Sequence, residues 1–149
     1  PMGICSWCFR LDGEGHRGTT ELNWIGEQGA LTVDDMRFEV SKHGIFSGHW
    51  TLRHDGAEVV SAQKSTAFTR TFQIQDPGGH LTLHAVSALG RSFQLDRSDE
   101  AVASIRPDHP MTRRSTIEIH TQQWDFPTVG FAFWLAVLMW RRAAQSNNS

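Results

Sequence analysis

The sequence predicts a mainly β protein, an antiparallel β-barrel of about nine to twelve strands enclosing one hydrophobic C-terminal α-helix. Three observations carry this reading. Turn signals recur roughly every 10 residues from residue 30 onward, the segments between them alternate apolar and polar residues, and residues 126–140 form an almost wholly apolar run bounded by helix signals.

The turns come first because they set the strand lengths. Asp34 with Asp35, Asp55 with Gly56, Asp76 through Gly79 and Asp96 through Asp99 form one series about 20 residues apart. Gly44, Ser65 with Thr66, Leu89 with Gly90, and Asp108 with Pro110 interleave with it. The chain therefore reverses at the spacing of one strand plus one tight turn, which describes a meander.

Between the turns, Met36, Phe38 and Val40 fall on one face, and Arg37, Glu39 and Ser41 on the other. Trp50 and Leu52, Phe72 and Ile74, Leu81, Leu83 and Ala85, Phe93 and Leu95, and Ile117 and Ile119 repeat the alternation. Successive strand side chains point to opposite faces, so each segment offers one apolar face to a common interior. With short strands near Leu31, Val60 and Val102, about nine strands lie between residues 30 and 120.

Residues 1–29 read as an N-terminal segment with edge strands. Cys5, Trp7 and Phe9 alternate, Gly13 through Thr20 read as a polar loop, and Leu22, Trp24 and Ile25 suggest a further strand. Met2 is expected as the first native residue, with Pro1 a remnant ahead of it. Gly3 lacks the Ser or Thr that a myristoylation pattern requires four residues on, where Trp7 stands.

At the other end, Asp125 and Pro127 signal a helix start, and Arg141 and Arg142 suit the negative end of a helix dipole. Phe131, Phe133, Trp134, Leu135, Val137, Leu138, Met139 and Trp140 cover every side of that helix, so it must be buried in protein or in lipid. Residues 126–140 would span only about 22 Å, short of the roughly 30 Å hydrocarbon core of a bilayer, which favours a protein interior. The barrel is expected over residues 30–144, with its central helix at 127–144 and a disordered polar tail at 145–149. A tail-anchored protein using residues 126–142 as a membrane helix is the competing reading, with Trp140, Arg141 and Arg142 as interfacial anchors.

Bulk composition narrows the function. A chain of 149 residues, 39% hydrophobic and 20% charged, suits one domain with a substantial core. The net charge of −2 gives no general attraction to nucleic acid or an anionic membrane, so either would require a local patch. The two cysteines are too few for a secreted disulfide framework and no signal peptide is evident, which points to the cytoplasm.

A run of amphipathic strands ending in one hydrophobic helix resembles the tubby-like barrel of tubby C-terminal domains, phospholipid scramblases and plant LURP-one-related proteins. The phrase Trp50-Thr-Leu-Arg-His-Asp-Gly56-Ala-Glu-Val-Val60 and its counterpart from Phe93 to Arg106 are similar to the LURP-one type. The resemblance covers about residues 30–144. It implies a barrel threaded by its closing helix and a binding or scaffold role rather than catalysis. Tubby domains bind phosphoinositides, scramblases are associated with membrane lipids and calcium, and many LURP-one-like proteins have no settled activity.

Candidate chemistry is sparse. Cys5 and Cys8 have the spacing of half a zinc site or of a redox pair, with His16 as the nearest further ligand, but a single CxxC without its partner pair most simply describes strand cysteines. The remaining histidines lack metal-ligand spacing, and His80 and His84 lie on a strand, where a separation of four does not make a ligand pair. No phosphate loop, nucleophile elbow or carboxylate pair stands out, and neither enzyme activity nor a cofactor is expected. Lys64, Arg70, Arg91, Arg97, Arg113 and Arg114 lie at strand ends or turns, where one barrel rim could gather them to hold an anionic phospholipid head group. The bland alternative is a set of solvated surface cations. The expected function is thus a non-enzymatic binding or scaffold module, cytoplasmic and in contact with a membrane surface, with a small-molecule carrier barrel as the alternative.

Overall fold

The computed structural model describes residues 8–13, 15–23, 26–44, 48–66, 69–87, 90–108 and 115–147. The strands are β1 (Cys8–Gly13), β2 (His16–Asn23), β3 (Gln28–Val33), β4 (Met36–Lys42), β5 (His49–His54), β6 (Ala57–Lys64), β7 (Thr71–Asp76), β8 (Gly79–Ala85), β9 (Phe93–Arg97), β10 (Glu100–Pro107) and β11 (Ser115–Ile119). One helix, α1 (Phe126–Asn147), follows them. All eleven strands form a single antiparallel sheet in sequence order.

The turn chemistry explains this meander. Asp34 and Asp35, Asp55 and Gly56, and Ser98 and Asp99 all have positive φ. Two consecutive left-handed residues make the hairpin turn whose twist matches that of the flanking strands, and Asp and Gly enter this region more readily than most residues. At the turn after β7, the Asp76 carboxylate accepts a bond from the Gly78 N–H (2.8 Å), fixing the reversal through Pro77.

The hairpins formed by residues 50–60 and 93–106 fold alike. In the β5–β6 hairpin the register steps past Val59, and in the β9–β10 hairpin it steps past Val102. Each bulge places one extra residue three positions into the returning strand. It also shifts the phase of alternation, so that Val102 and Ala103 are both buried.

Most inward-facing residues read from the sequence are in the core: Phe38, Val40, Trp50, Leu52, Phe72, Ile74, Leu81, Leu83, Phe93 and Leu95. Two further departures from simple alternation have a local cause. Met36, at the first position of β4, is 47% exposed because it lies at the sheet's rim beyond the helix packing. Thr51, on the outer face, is buried because His43 covers it, with Nε2 2.7 Å from its hydroxyl.

The helix is enclosed on every side. All residues from Thr128 to Arg141 are buried, and no helix among the described residues is long and apolar enough to cross a membrane. Asp125 caps the N-terminus, its Oδ2 accepting from the Thr128 N–H (3.2 Å) and hydroxyl (2.7 Å). Further along, the Trp134 indole donates to Glu21 O on β2 (2.9 Å), and Trp140 donates to Arg91 O ahead of β9 (2.7 Å). Two glycines permit this fit. A Cβ at Gly29 would lie 1.9 Å from Glu21 O and 2.8 Å from Trp134 Nε1, and one at Gly130 would meet Leu31 at 2.9 Å.

Three expectations are corrected. The anticipated barrel is a sheet curled around the helix: the hydrogen-bonded ladder runs from β1 to β11 without joining these two strands among the described residues. The helix supplies the interior that a closed barrel would otherwise form, and Phe9 of β1 packs edge-on against Phe133 at 5.3 Å. Second, the supposed polar loop at 13–20 mostly belongs to β2, so the expected boundary at residue 29 falls inside β3. The first part of β2 looks polar because its inward positions Gly18 and Thr20 are small. A Cβ at Gly18 would meet Thr32 O at 2.8 Å and the Phe126 ring at 3.2 Å, and the aromatic rings of the helix fill the space. Third, the helix continues to Asn147, so most of the supposed tail is helical, while 148–149 lie outside the described residues. Trp24, Ile25, Cys5 and Trp7 also lie outside them.

Leu135, fully buried at the centre of the helix, gives the sharpest test. Leu135→Asp places an unpaired carboxylate in an apolar interior and is expected to abolish folding, while Leu135→Ala costs about 2–5 kcal/mol. Circular dichroism and urea titration measure both. A folded, soluble Leu135→Asp protein would overturn this account of the core. Gly29→Ala is also expected to lower stability by at least about 2 kcal/mol, because backbone and indole must separate to admit one methyl.

Candidate functional site

An antiparallel meander alternates its connections between two ends, so charge placed in the links is sorted into two rims. One rim carries the tight Asp-containing turns and the start of α1. At the other, the helix leaves the sheet beside the β2–β3 turn, the end of β4, the end of β6 and the links entering β7 and β9. This second rim gathers Lys42, Lys64, Arg70, Arg91, Arg106, Arg141 and Arg142, against two carboxylates among its described residues, Glu27 and Asp108.

Glu27 organises this rim. Its carboxylate lies 2.6 Å from Lys42 Nζ and 2.6 Å from both Arg142 Nε and Nη2, a two-pronged guanidinium contact. The Glu27 carbonyl accepts from the Trp50 indole (3.0 Å). Lys42 and Arg142 lie 5.4 and 5.6 Å from the Trp50 ring, close enough for attraction to its π face. Burial raises the pKa of Glu27, but hydrogen bonds and charge from Arg142 and Lys42 outweigh it and bring it to about 2.

The surrounding cations feel the crowding. Burial lowers the pKa of Lys64, and the Arg142 charge lowers it further against the opposing pull of Glu27. Arg141 is lowered first by burial and again by Arg142, with Glu27 opposing. Arg91 sits over the Trp140 ring at 5.3 Å. Arg70 donates to Gly90 O (2.6 Å) and Ser87 O, bracing the link between β8 and β9.

Of the six cations singled out in the sequence, Lys64, Arg70 and Arg91 therefore share this rim. Arg97 lies at the opposite one, where its Nη2 contacts both Asp76 oxygens (3.0 and 2.9 Å) and Asp76 in turn accepts from Thr128 (3.0 Å). Arg97 thus braces the start of the helix. Arg113 and Arg114 lie outside the described residues. Sequence reasoning did not single out Lys42, and it assigned Arg141 and Arg142 to the helix dipole or, in the tail-anchored reading, to an interfacial anchor. Glu27 carries no local signal, since its three partners, Lys42, Trp50 and Arg142, come from three other elements, β4, β5 and α1.

Among the described residues, His16 does not approach the cysteine motif. Cys8 pairs with Glu21, while His16 pairs with Gly13 five positions along the same ladder, about 17 Å away. Cys5 lies outside the described residues, and His16 Nδ1 is 2.6 Å from Asp34 Oδ2. No group of three metal-binding side chains occurs among the described residues. Two clefts of about 390 Å³ open at the Asp-rich rim on either side of Trp124, while the space between sheet and helix is filled by Trp50, Phe72, Phe131, Phe133 and Trp134.

Glu27→Gln should lower stability at pH 7 by on the order of 2 kcal/mol, allowing for solvent screening at a half-buried position. Because the folded-state pKa lies below the ordinary value of 4.5, the wild-type advantage is complete above about pH 4.5 and fades as pH falls toward 2. Urea titrations of both proteins across that range test the linkage, and a pH-independent difference would contradict it.

No family model, curated protein or solved structure matches this chain.

Proposed function

We propose that this chain is a non-enzymatic binding or scaffold module of tubby-like type that takes anionic phospholipid head groups at the basic rim. The observation that carries the reading is the excess of cations at the end where the helix emerges. Among the described residues, seven basic side chains meet two carboxylates there, and Lys64 is held below its ordinary pKa first by burial and then by the Arg142 charge. A phosphate group would relieve that crowding through charge-assisted hydrogen bonds.

The shape of this end supports the same ligand. Exposed Ala143 and Ala144 continue the helix past Arg142, so small apolar side chains project beyond a ring of cations. A basic rim with a protruding weakly apolar tip suits the interface of an anionic bilayer better than a deep small-molecule pocket. An overall charge of −2 means that attraction to such a surface acts through this end alone. A likeness to the tubby-like barrel rests on the meander, its two matching bulged hairpins and the enclosed C-terminal helix.

Co-sedimentation with phosphatidylserine-containing vesicles, against phosphatidylcholine alone, tests the proposal. Binding should require the anionic lipid and weaken with added salt. Lys64→Glu combined with Arg91→Glu should reduce it by at least tenfold, since each basic residue near such a surface contributes about 1 kcal/mol and reversal doubles the loss. Equal binding to neutral vesicles, or full binding by the folded double variant, would reject it.

A further inference from the structure

The opposite end of the molecule carries a different site. One of the two clefts at the Asp-rich rim, about 390 Å³ in volume, is lined by Trp124, Phe126, Phe38 and Met36 together with Asp34, Asp125 and His16. Three rings form its corner: His16 lies 5.1 Å from Phe126 and 6.0 Å from Trp124, and the Trp124 and Phe126 rings are 5.7 Å apart. We propose that this cleft binds a basic side chain, arginine or lysine, of a partner peptide, with its apolar stem against the rings and its cation between Asp34 and Asp125.

Charge and geometry select this occupant. Asp34 is fixed by two donors, the Arg17 N–H on Oδ1 (2.9 Å) and His16 on Oδ2 (2.6 Å), and a carboxylate has about four acceptor positions, so capacity remains for a ligand. These contacts also hold its pKa below the ordinary value, the Arg17 N–H first and His16 next, keeping it charged. Asp125 caps the helix through Oδ2 alone among its described bonds, so its second oxygen adds acceptor capacity at the same cleft. An anion would gain little from the positive end of the helix, because the Asp125 carboxylate already occupies it. Aromatic faces beside carboxylates attract guanidinium and ammonium groups and repel anions.

The cleft opens at the rim, with Met36 47% exposed at its lip. That surface can cover a residue flanking the basic side chain, which a free small cation lacks. The helix separates this cleft from the basic rim by the 17 residues from Phe126 to Arg142, about 25 Å. The proposal does not depend on lipid binding at the far end. With both sites in use, the molecule would hold a basic partner at a distance from an anionic surface.

The probe is the tripeptide acetyl-Gly-Arg-Gly-amide, followed by the indole N–H resonance of Trp124, which is assigned with Trp124→Phe. Saturable, selective movement of this signal is expected, with none from acetyl-Gly-Glu-Gly-amide. Asp34→Asn and Asp125→Asn together should weaken binding at least tenfold while leaving the fold intact, because Asn tolerates positive φ at position 34 and caps a helix at position 125. No movement, equal movement with the glutamate peptide, or undiminished binding by the folded double variant would overturn the site. Tetramethylammonium binding as tightly as the arginine peptide would assign the cleft to free organic cations and overturn the peptide reading.

Discussion

The fold depends on one constraint: a helix that is apolar on all sides must be covered on all sides. A single sheet face covers only one stripe of a helix, and α1 offers no polar stripe to leave in water from Thr128 to Arg141. The sheet must therefore curl, and eleven strands in sequence order do so without a crossover. Each fully buried Leu, Phe or Trp on α1 contributes roughly 1.5–3 kcal/mol of transfer free energy, so leaving even part of the helix uncovered would cost more than a domain's usual net stability. A ladder that does not join β1 to β11 among the described residues is consistent with this, since burial of the helix asks for surface coverage and not for a continuous ladder.

Polar contacts then fix where the helix sits inside its cover. Thr128 meets Asp76 at one end, Arg142 meets Glu27 at the other, and the Trp134 indole holds the middle to β2. Dispersion and burial are non-directional and would tolerate sliding or rotation of an all-apolar helix. Hydrogen bonds at 2.6–3.0 Å do not, and their loss would strand buried or half-buried donors and acceptors. The helix is placed by a few directional bonds within a non-directional core.

The same topology sorts charge. Tight turns demand residues that accept positive φ, and Asp meets that need at Asp34, Asp35, Asp55 and Asp99, so acidic groups collect at the rim of short turns. Carboxylates Asp76 and Asp125 stand at the start of α1, in the sense that complements the helix dipole, whereas Arg141 and Arg142 precede the last turn, which holds no basic residue because the helix runs on to Asn147. A chain with little net charge thereby acquires two chemically distinct ends, an aromatic and acidic cleft at one and a crowded basic rim at the other.

The sequence by itself determined the elements. Turn chemistry located the hairpins, the period-2 alternation marked six strands, to which short strands near Leu31, Val60 and Val102 were added to make the nine from β3 to β11, and Asp125 with Pro127 marked the helix start within one residue of Phe126. These are local signals, written in neighbouring residues. It misread β2, where Gly18 and Thr20 face inward because rings from the distant helix occupy the volume that larger side chains would fill. It grouped Arg97 with Lys64, Arg70 and Arg91 although strand direction sends it to the other rim, and it passed over Glu27, whose partners lie 15 and 115 residues away. Which strand ends meet, which charges crowd together and which rings line a cleft are set by closure of the sheet around α1. That closure is a property of the whole interior volume, and no window of the chain encodes it.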